Sequence, residues 1–153
     1  MAALTALQAM RGKVKAGDRV LIHAGSGGVG HYAIQMAKKM GAHVITTCSA
    51  KNKEFVMSMG ADEHVDYRTQ DFEQVISDVD YVLDGMGGET LVKSLRVLKE
   101  GGVAVSLPTP QMPQEVLDEA KKLKVNAEGI MVQSNGDDMN ELKEMMAAGT
   151  LKS

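Results

Sequence analysis

Short runs of strand length alternate along this chain with longer stretches whose apolar residues recur every three or four positions. The run at 19–24 (RVLIHA) follows the turn signal Ala16-Gly17-Asp18. Further strands are expected at 43–47, 63–66, 81–84, 103–107 and 127–132. Helices are expected at 2–10, 28–40, 50–59, 71–76, 89–98, 114–123 and 137–148. In the second of these, Val29, Tyr32, Ala33, Met36, Ala37 and Met40 share one helical face, and Gly41 stops it.

The β-then-α alternation recurs about six times. Strands joined by helical crossovers run parallel, because each helix carries the chain back to begin the next strand in the same direction. The strand cores VLI, VIT, YVL and VAV are continuously apolar, as when both sheet faces are covered. The expected architecture is α/β: a doubly wound, six-stranded parallel sheet (a Rossmann fold) in the order 3-2-1-4-5-6. The 153 residues fit one domain, and no linker or low-complexity tract divides them.

Composition narrows the function classes. A hydrophobic fraction of 44% with 24% charged residues is that of an ordinary globular protein, not a disordered one. A net charge of −3 supplies no basic field for nucleic acid or an acidic membrane, so neither is expected as a partner. The apolar start is too short to span a bilayer and lacks the basic residues of a secretory signal. Cys48 is the one cysteine, which excludes a disulfide framework and a cysteine-based zinc site within the chain; a cytoplasmic location is expected. His23, His31, His43 and His64 do not fall at metal-ligand spacing, and His23 reads as a core histidine.

The candidate chemistry lies in Gly25-Ser26-Gly27-Gly28-Val29-Gly30. Such a pattern alone is weak, but this one follows the first strand and opens a helix, the arrangement that dinucleotide binding requires. Gly25 permits the tight turn, Gly27 lets the backbone approach a pyrophosphate, and Gly30 lets the helix pack on the strand. Helix-start N–H groups and the helix dipole then attract phosphate. The plain alternative is that these glycines only make a tight turn.

An NAD site usually carries an acid at the end of the second strand, to hold the ribose hydroxyls. That stretch reads Thr46-Thr47-Cys48-Ser49, with no acid until Glu54. Lys51 and Lys53 instead stand at the start of the next helix, where cations oppose the dipole unless an anion is near. A ribose 2′-phosphate fits, with Ser49 donating a hydrogen bond, so NADP(H) is the expected cofactor. The alternative is that Ser49 caps the helix and the lysines are solvated.

Several runs carry a family resemblance: 24–30 (AGSGGVG), 33–38 (AIQMAK), Gly41-Ala42, Gly60-Ala61-Asp62, Asp66-Tyr67-Arg68, Asp84-Gly85 and Gly101-Gly102. Together they resemble the medium-chain dehydrogenase/reductases, and within them the zinc-independent quinone oxidoreductase branch, over essentially the whole chain. The resemblance implies that Ser26, Gly27, Gly28, Val29 and Gly30 hold the pyrophosphate. It implies that Ser49, Lys53 and Tyr67 meet the 2′-phosphate end, although Tyr67 reads equally well as a strand-end aromatic. The loops after Asp84, at Gly85, and at Leu107 would approach the nicotinamide. Edge-to-edge pairing of two copies through the last strand, at 129–133, is a further implication.

Members of that family are longer, with a GroES-like catalytic domain preceding the cofactor domain and completed after it. The chain is therefore expected to be an excised domain or a fragment. It would bind NADP(H) for a hydride-transferring reductase of quinones, enones or related carbonyls, and turn over poorly by itself. No catalytic acid or base is nameable within it. The rival readings are an S-adenosylmethionine-dependent methyltransferase, which usually keeps the acid absent here, and a non-enzymatic nucleotide-binding module.

Overall fold

The computed structural model describes residues 2–10, 13–23, 28–66, 71–85, 88–106 and 113–129, with 140, 143 and 144. In chain order the elements are α1 (Ala2–Met10), β1 (Arg19–Ile22), α2 (Gly28–Lys39), β2 (His43–Cys48), α3 (Lys53–Ser58), β3 (Glu63–Asp66), α4 (Phe72–Val75), β4 (Val79–Asp84), α5 (Gly88–Val97), β5 (Leu98–Ser106), α6 (Gln114–Leu123) and β6 (Asn126–Gly129). A short 3₁₀ turn, Ala50–Asn52, leads into α3.

The six strands form one sheet in the order β3-β2-β1-β4-β5-β6, and every pairing is parallel. The expected Rossmann topology is thus the observed one. Its reversal of direction falls between β1 and β4, the switch point at which ligands bind in open α/β sheets.

Alternating side chains of each strand feed two separate cores. Val20, Ile22, Val44, Tyr81 and Leu83 pack with α1, α2 and Val56 of α3 on one face. Leu21, Ile45 and Val82 pack with α4, α5 and α6 on the other. This double covering is why the strands read as unbroken apolar runs. Burying the Tyr81 phenol leaves its hydroxyl needing a partner. It donates to the Ala9 carbonyl at 2.8 Å and so ties α1 to the sheet.

Gly41 ends α2 with φ of +88°, the left-handed region. A Cβ there would sit 3.0 Å from the Ala16 Cβ, tighter than an ordinary contact, so a side chain would be crowded as well as conformationally strained.

Element boundaries depart from the sequence pattern at several places; β1, expected at 19–24, ends at Ile22, before His23. The helix expected at 50–59 divides into the 3₁₀ turn and α3. The helix expected at 71–76 is the shorter α4, Phe72–Val75. β4 begins at Val79, two residues earlier than expected. β5 begins at Leu98, taking residues 98–102 that read as a helix end and glycine stop. Those residues form an irregular stretch between the pairs Val79–Leu98 and Tyr81–Val103, and Gly101 (φ +88°) donates its N–H to the Lys124 carbonyl. The expected final helix, 137–148, and the part of the last strand beyond Gly129 lie outside the described residues.

No helix among the described residues is long and apolar enough to cross a membrane.

Candidate functional site at the carboxyl edge of the sheet

The carboxyl ends of β2, β1, β4 and β5 bring a row of buried polar side chains to one edge. Thr47 stands near the end of β2, His23 follows β1, Asp84 ends β4 and Ser106 ends β5; none is more than 5% exposed. Buried polar groups of this kind must find partners, and these do. The Ser106 hydroxyl donates to the Asp84 carboxylate at 3.0 Å. The His23 ring lies 3.1 Å from the Thr47 hydroxyl through Nδ1 and 2.8 Å from the Ser94 hydroxyl of α5 through Nε2. The His23 backbone N–H donates to the Leu83 carbonyl, extending the β1–β4 pairing one step past the strand.

Of the glycine segment, Gly28, Val29 and Gly30 are described, and they form the first turn of α2 as expected of a helix opened by that loop. Gly30 is buried, and Val29 packs against the first core. A buried glycine there is compatible with the close helix–sheet approach expected at that position. Gly25, Ser26 and Gly27 lie outside the described residues, as do Tyr67 and Leu107. Gly85 is exposed, immediately past β4.

Beyond β2, Ser49 is 6% exposed and occupies the N-cap position of the 3₁₀ turn, but its hydroxyl makes no capping bond. It accepts instead from the Asn52 side-chain amide at 3.1 Å. Lys51 is exposed on the turn, and Lys53 is exposed at the start of α3. Two exposed lysines therefore follow a buried hydroxyl closely along the chain, just past the carboxyl end of β2.

The strand register adds an acid that a reading along β2 alone misses. Asp66, at the end of β3, is the direct neighbour of Cys48. Burial, reinforced by the Asp66 charge, pushes the Cys48 thiol above its ordinary pKa. A buried thiol held protonated is a poor nucleophile and a poor metal ligand. Among the described residues, no three of His, Cys, Asp and Glu are grouped to hold a metal ion.

Thr47, Ser94 and Ser106 carried no signal in the sequence. The first is an ordinary strand residue, and the other two lie 71 and 22 positions from the partners they bond. His23 was legible as a buried histidine, but not its two hydroxyl partners.

Residues 28–148 match the family described as zinc-binding dehydrogenase. A mitochondrial NAD(P)H oxidoreductase of Danio rerio is 36% identical over 157 residues, covering 88% of this chain and 41% of that protein. The quinone oxidoreductase of Coxiella burnetii superposes with a TM-score of 0.93 at 42% identity, covering 99% of this chain and 48% of that one. The quinone oxidoreductase of Escherichia coli, solved in complex with NADPH, gives 0.87 at 26% identity, covering 99% and 52%. The chain spans about half the length of these relatives, or less.

Proposed function

The chain belongs to the zinc-binding dehydrogenase family, among the medium-chain dehydrogenase/reductases of quinone oxidoreductase type, and on that premise we propose that it holds NADP(H) for an oxidoreductase acting on a quinone, enone or related carbonyl compound. The observation that carries this reading is the placement of α2. It opens at Gly28, on the switch point between β1 and β4, at the carboxyl edge of an all-parallel sheet. The NADPH bound to the related Escherichia coli enzyme supports the choice of dinucleotide. The family match favours a dehydrogenase over a methyltransferase.

The residues present fit such a cofactor. The N-terminal turn of α2 would offer backbone amides to a pyrophosphate, and Gly30 in that turn is buried. Ser49, Lys51 and Lys53 offer a hydroxyl and two cations to a 2′-phosphate. β2 itself ends without a carboxylate; Asp66 reaches that edge only from the neighbouring strand. When bound, the nicotinamide supplies the hydride chemistry, and the protein's part is binding, orientation and exclusion of water. The resemblance brings Ser26, Tyr67 and Leu107 into the same assignment. The zinc-independent branch is favoured by Cys48, the one cysteine, whose thiol burial keeps protonated.

Two further readings accompany this one. A cytoplasmic location rests on the lone cysteine. Self-association through the last strand rests on β6 being the outermost strand, with one edge unpaired among the described residues.

Isothermal titration of the purified chain with NADPH, NADH and S-adenosylmethionine tests the proposal. The expected result is NADPH binding that weakens in Lys53→Ala by about tenfold, the scale of one charge-assisted contact. Equal affinity for NADPH and NADH would remove the 2′-phosphate assignment and keep the dinucleotide one. Preference for S-adenosylmethionine would overturn both.

A further inference from the structure

The protons around His23 can be assigned one by one. A hydroxyl has a single proton to give. The Ser94 hydroxyl donates its own to the Thr90 carbonyl at 2.6 Å, within α5. Its oxygen can then only accept from the His23 Nε2 at 2.8 Å, so that nitrogen bears a hydrogen. In a neutral ring Nδ1 is then the acceptor, and the Thr47 hydroxyl at 3.1 Å donates to it. The result is a directional chain, from the Thr47 hydroxyl through both ring nitrogens and Ser94 to the Thr90 carbonyl. It joins β2, β1 and α5 beneath the carboxyl edge.

The surroundings hold the ring in that form. His23 is 5% exposed, and the Phe72 ring of α4 meets it edge-on with centroids 4.6 Å apart. Thr47 of β2, Ser94 of α5 and Phe72 carry no charge. Asp84 of β4 is the charged group that faces the ring. Burial pushes the imidazole down to about 4, against the pull of Asp84, so the ring is uncharged at neutral pH.

We propose that His23 is a positioning residue of the cofactor site: a neutral imidazole, protonated on Nε2, that braces the end of β2 against α5 immediately before the glycine-rich segment of the sequence. Three facts converge on it. His23 is the last residue before the segment 24–30. Thr47 precedes by two residues Ser49, whose buried hydroxyl the cofactor reading assigns to the 2′-phosphate. Ser94 sits on the helix that follows the Asp84–Gly85 loop. One ring thus ties together the elements that the cofactor reading assigns to the two ends of a dinucleotide. The inference rests on the cofactor reading above.

Isosteres separate its two bonds. His23→Asn places an acceptor near the Nδ1 position and keeps the tie to Thr47. His23→Gln places a donor near the Nε2 position and keeps the tie to Ser94. Dissociation constants for NADPH and NADH are measured on the full 153-residue chain and these variants, with circular dichroism to report folding.

His23→Leu is expected to raise the NADPH dissociation constant about tenfold while the chain remains folded. His23→Asn should retain the NADPH-over-NADH ratio, and His23→Gln should lose much of it, a split that loss of stability alone does not produce. A folded His23→Leu within about twofold of wild type for NADPH overturns the proposal. Should that variant not fold, equal ratios in the Asn and Gln variants overturn it instead. A wild-type chain that binds neither dinucleotide overturns the cofactor reading, and the positioning role with it. Nitrogen-15 spectra of the wild-type ring provide a readout independent of binding. A hydrogen on Nε2 with no titration near the ordinary histidine value of about 6.5 is expected, and a hydrogen on Nδ1 contradicts the brace.

Discussion

The two edges of the sheet are built from different electrostatics. At the carboxyl edge, Thr47, His23, Asp84 and Ser106 are buried and bonded to one another or to α5. At the amino edge, charges meet in water. Lys38 pairs with Asp62 at 2.8 Å, His43 with Glu63 at 2.6 Å and Lys99 with Asp80 at 2.9 Å, each between partly exposed side chains. Exposed pairs are screened and cost little to lose, whereas a buried polar group stripped of its partner carries its full desolvation cost. A site that must hold a ligand in one geometry gains from the second kind of construction.

Asp84→Ala should break the contrast most strongly. Asp84 is fully buried, and its loss leaves the Ser106 hydroxyl without that acceptor. We expect about 2–3 kcal/mol of lost stability in urea unfolding, the scale of a hydrogen bond to a buried charge. Less than about 0.5 kcal/mol would mean that the edge is not tightly built. Tyr81→Phe, between the two edges, removes the bond to the Ala9 carbonyl and should cost about 1 kcal/mol, read the same way.

Acid titration of stability sharpens the comparison by sign. At the carboxyl edge, the unfolded chain protonates His23 near its ordinary value, while the folded chain refuses that proton down to about 4. Stability from this group should fall as the pH drops through that window, and His23→Leu should flatten the slope there. At the amino edge, burial raises the Asp62 carboxyl, but the Lys38 hydrogen bond, the Val44 N–H and the Lys38 and His43 charges together outweigh it. Its pKa therefore lies below the ordinary value, and its contribution should persist until the pH falls beneath the usual carboxylate range. Urea midpoints from pH 7 to pH 3 separate the two; a slope above pH 5 that survives in His23→Leu contradicts the assignment.

The smallest effect is expected for His43→Ala. Its partners are well exposed, so the loss should stay below about 1 kcal/mol and shrink further in about 1 M salt.

The strand order was legible in the sequence because helices of ten to twelve residues, such as α2, α5 and α6, separate apolar runs and force parallel crossovers. The start of β5 was not. Leu98 falls in helical spacing after Leu95, and the pairing of Leu98 with Val79 is a tertiary contact that no local pattern encodes. At the site, the opening of α2 at Gly28 was legible because a glycine-rich run follows an apolar strand and precedes a helical pattern. Asp66 beside Cys48 depends on strand register, and the tie from His23 to Ser94 depends on how α5 lies over the sheet. Chemistry spread across strands surfaces only when the strands are assembled.

Hydrogen exchange with and without NADPH tests the central claim most directly. Binding at the carboxyl edge predicts slowed exchange at amides 28–31, 48–53 and 88–90, with amides 38–44, 60–64 and 98–102 unchanged. Protection at the amino edge, or spread evenly over both, would contradict it.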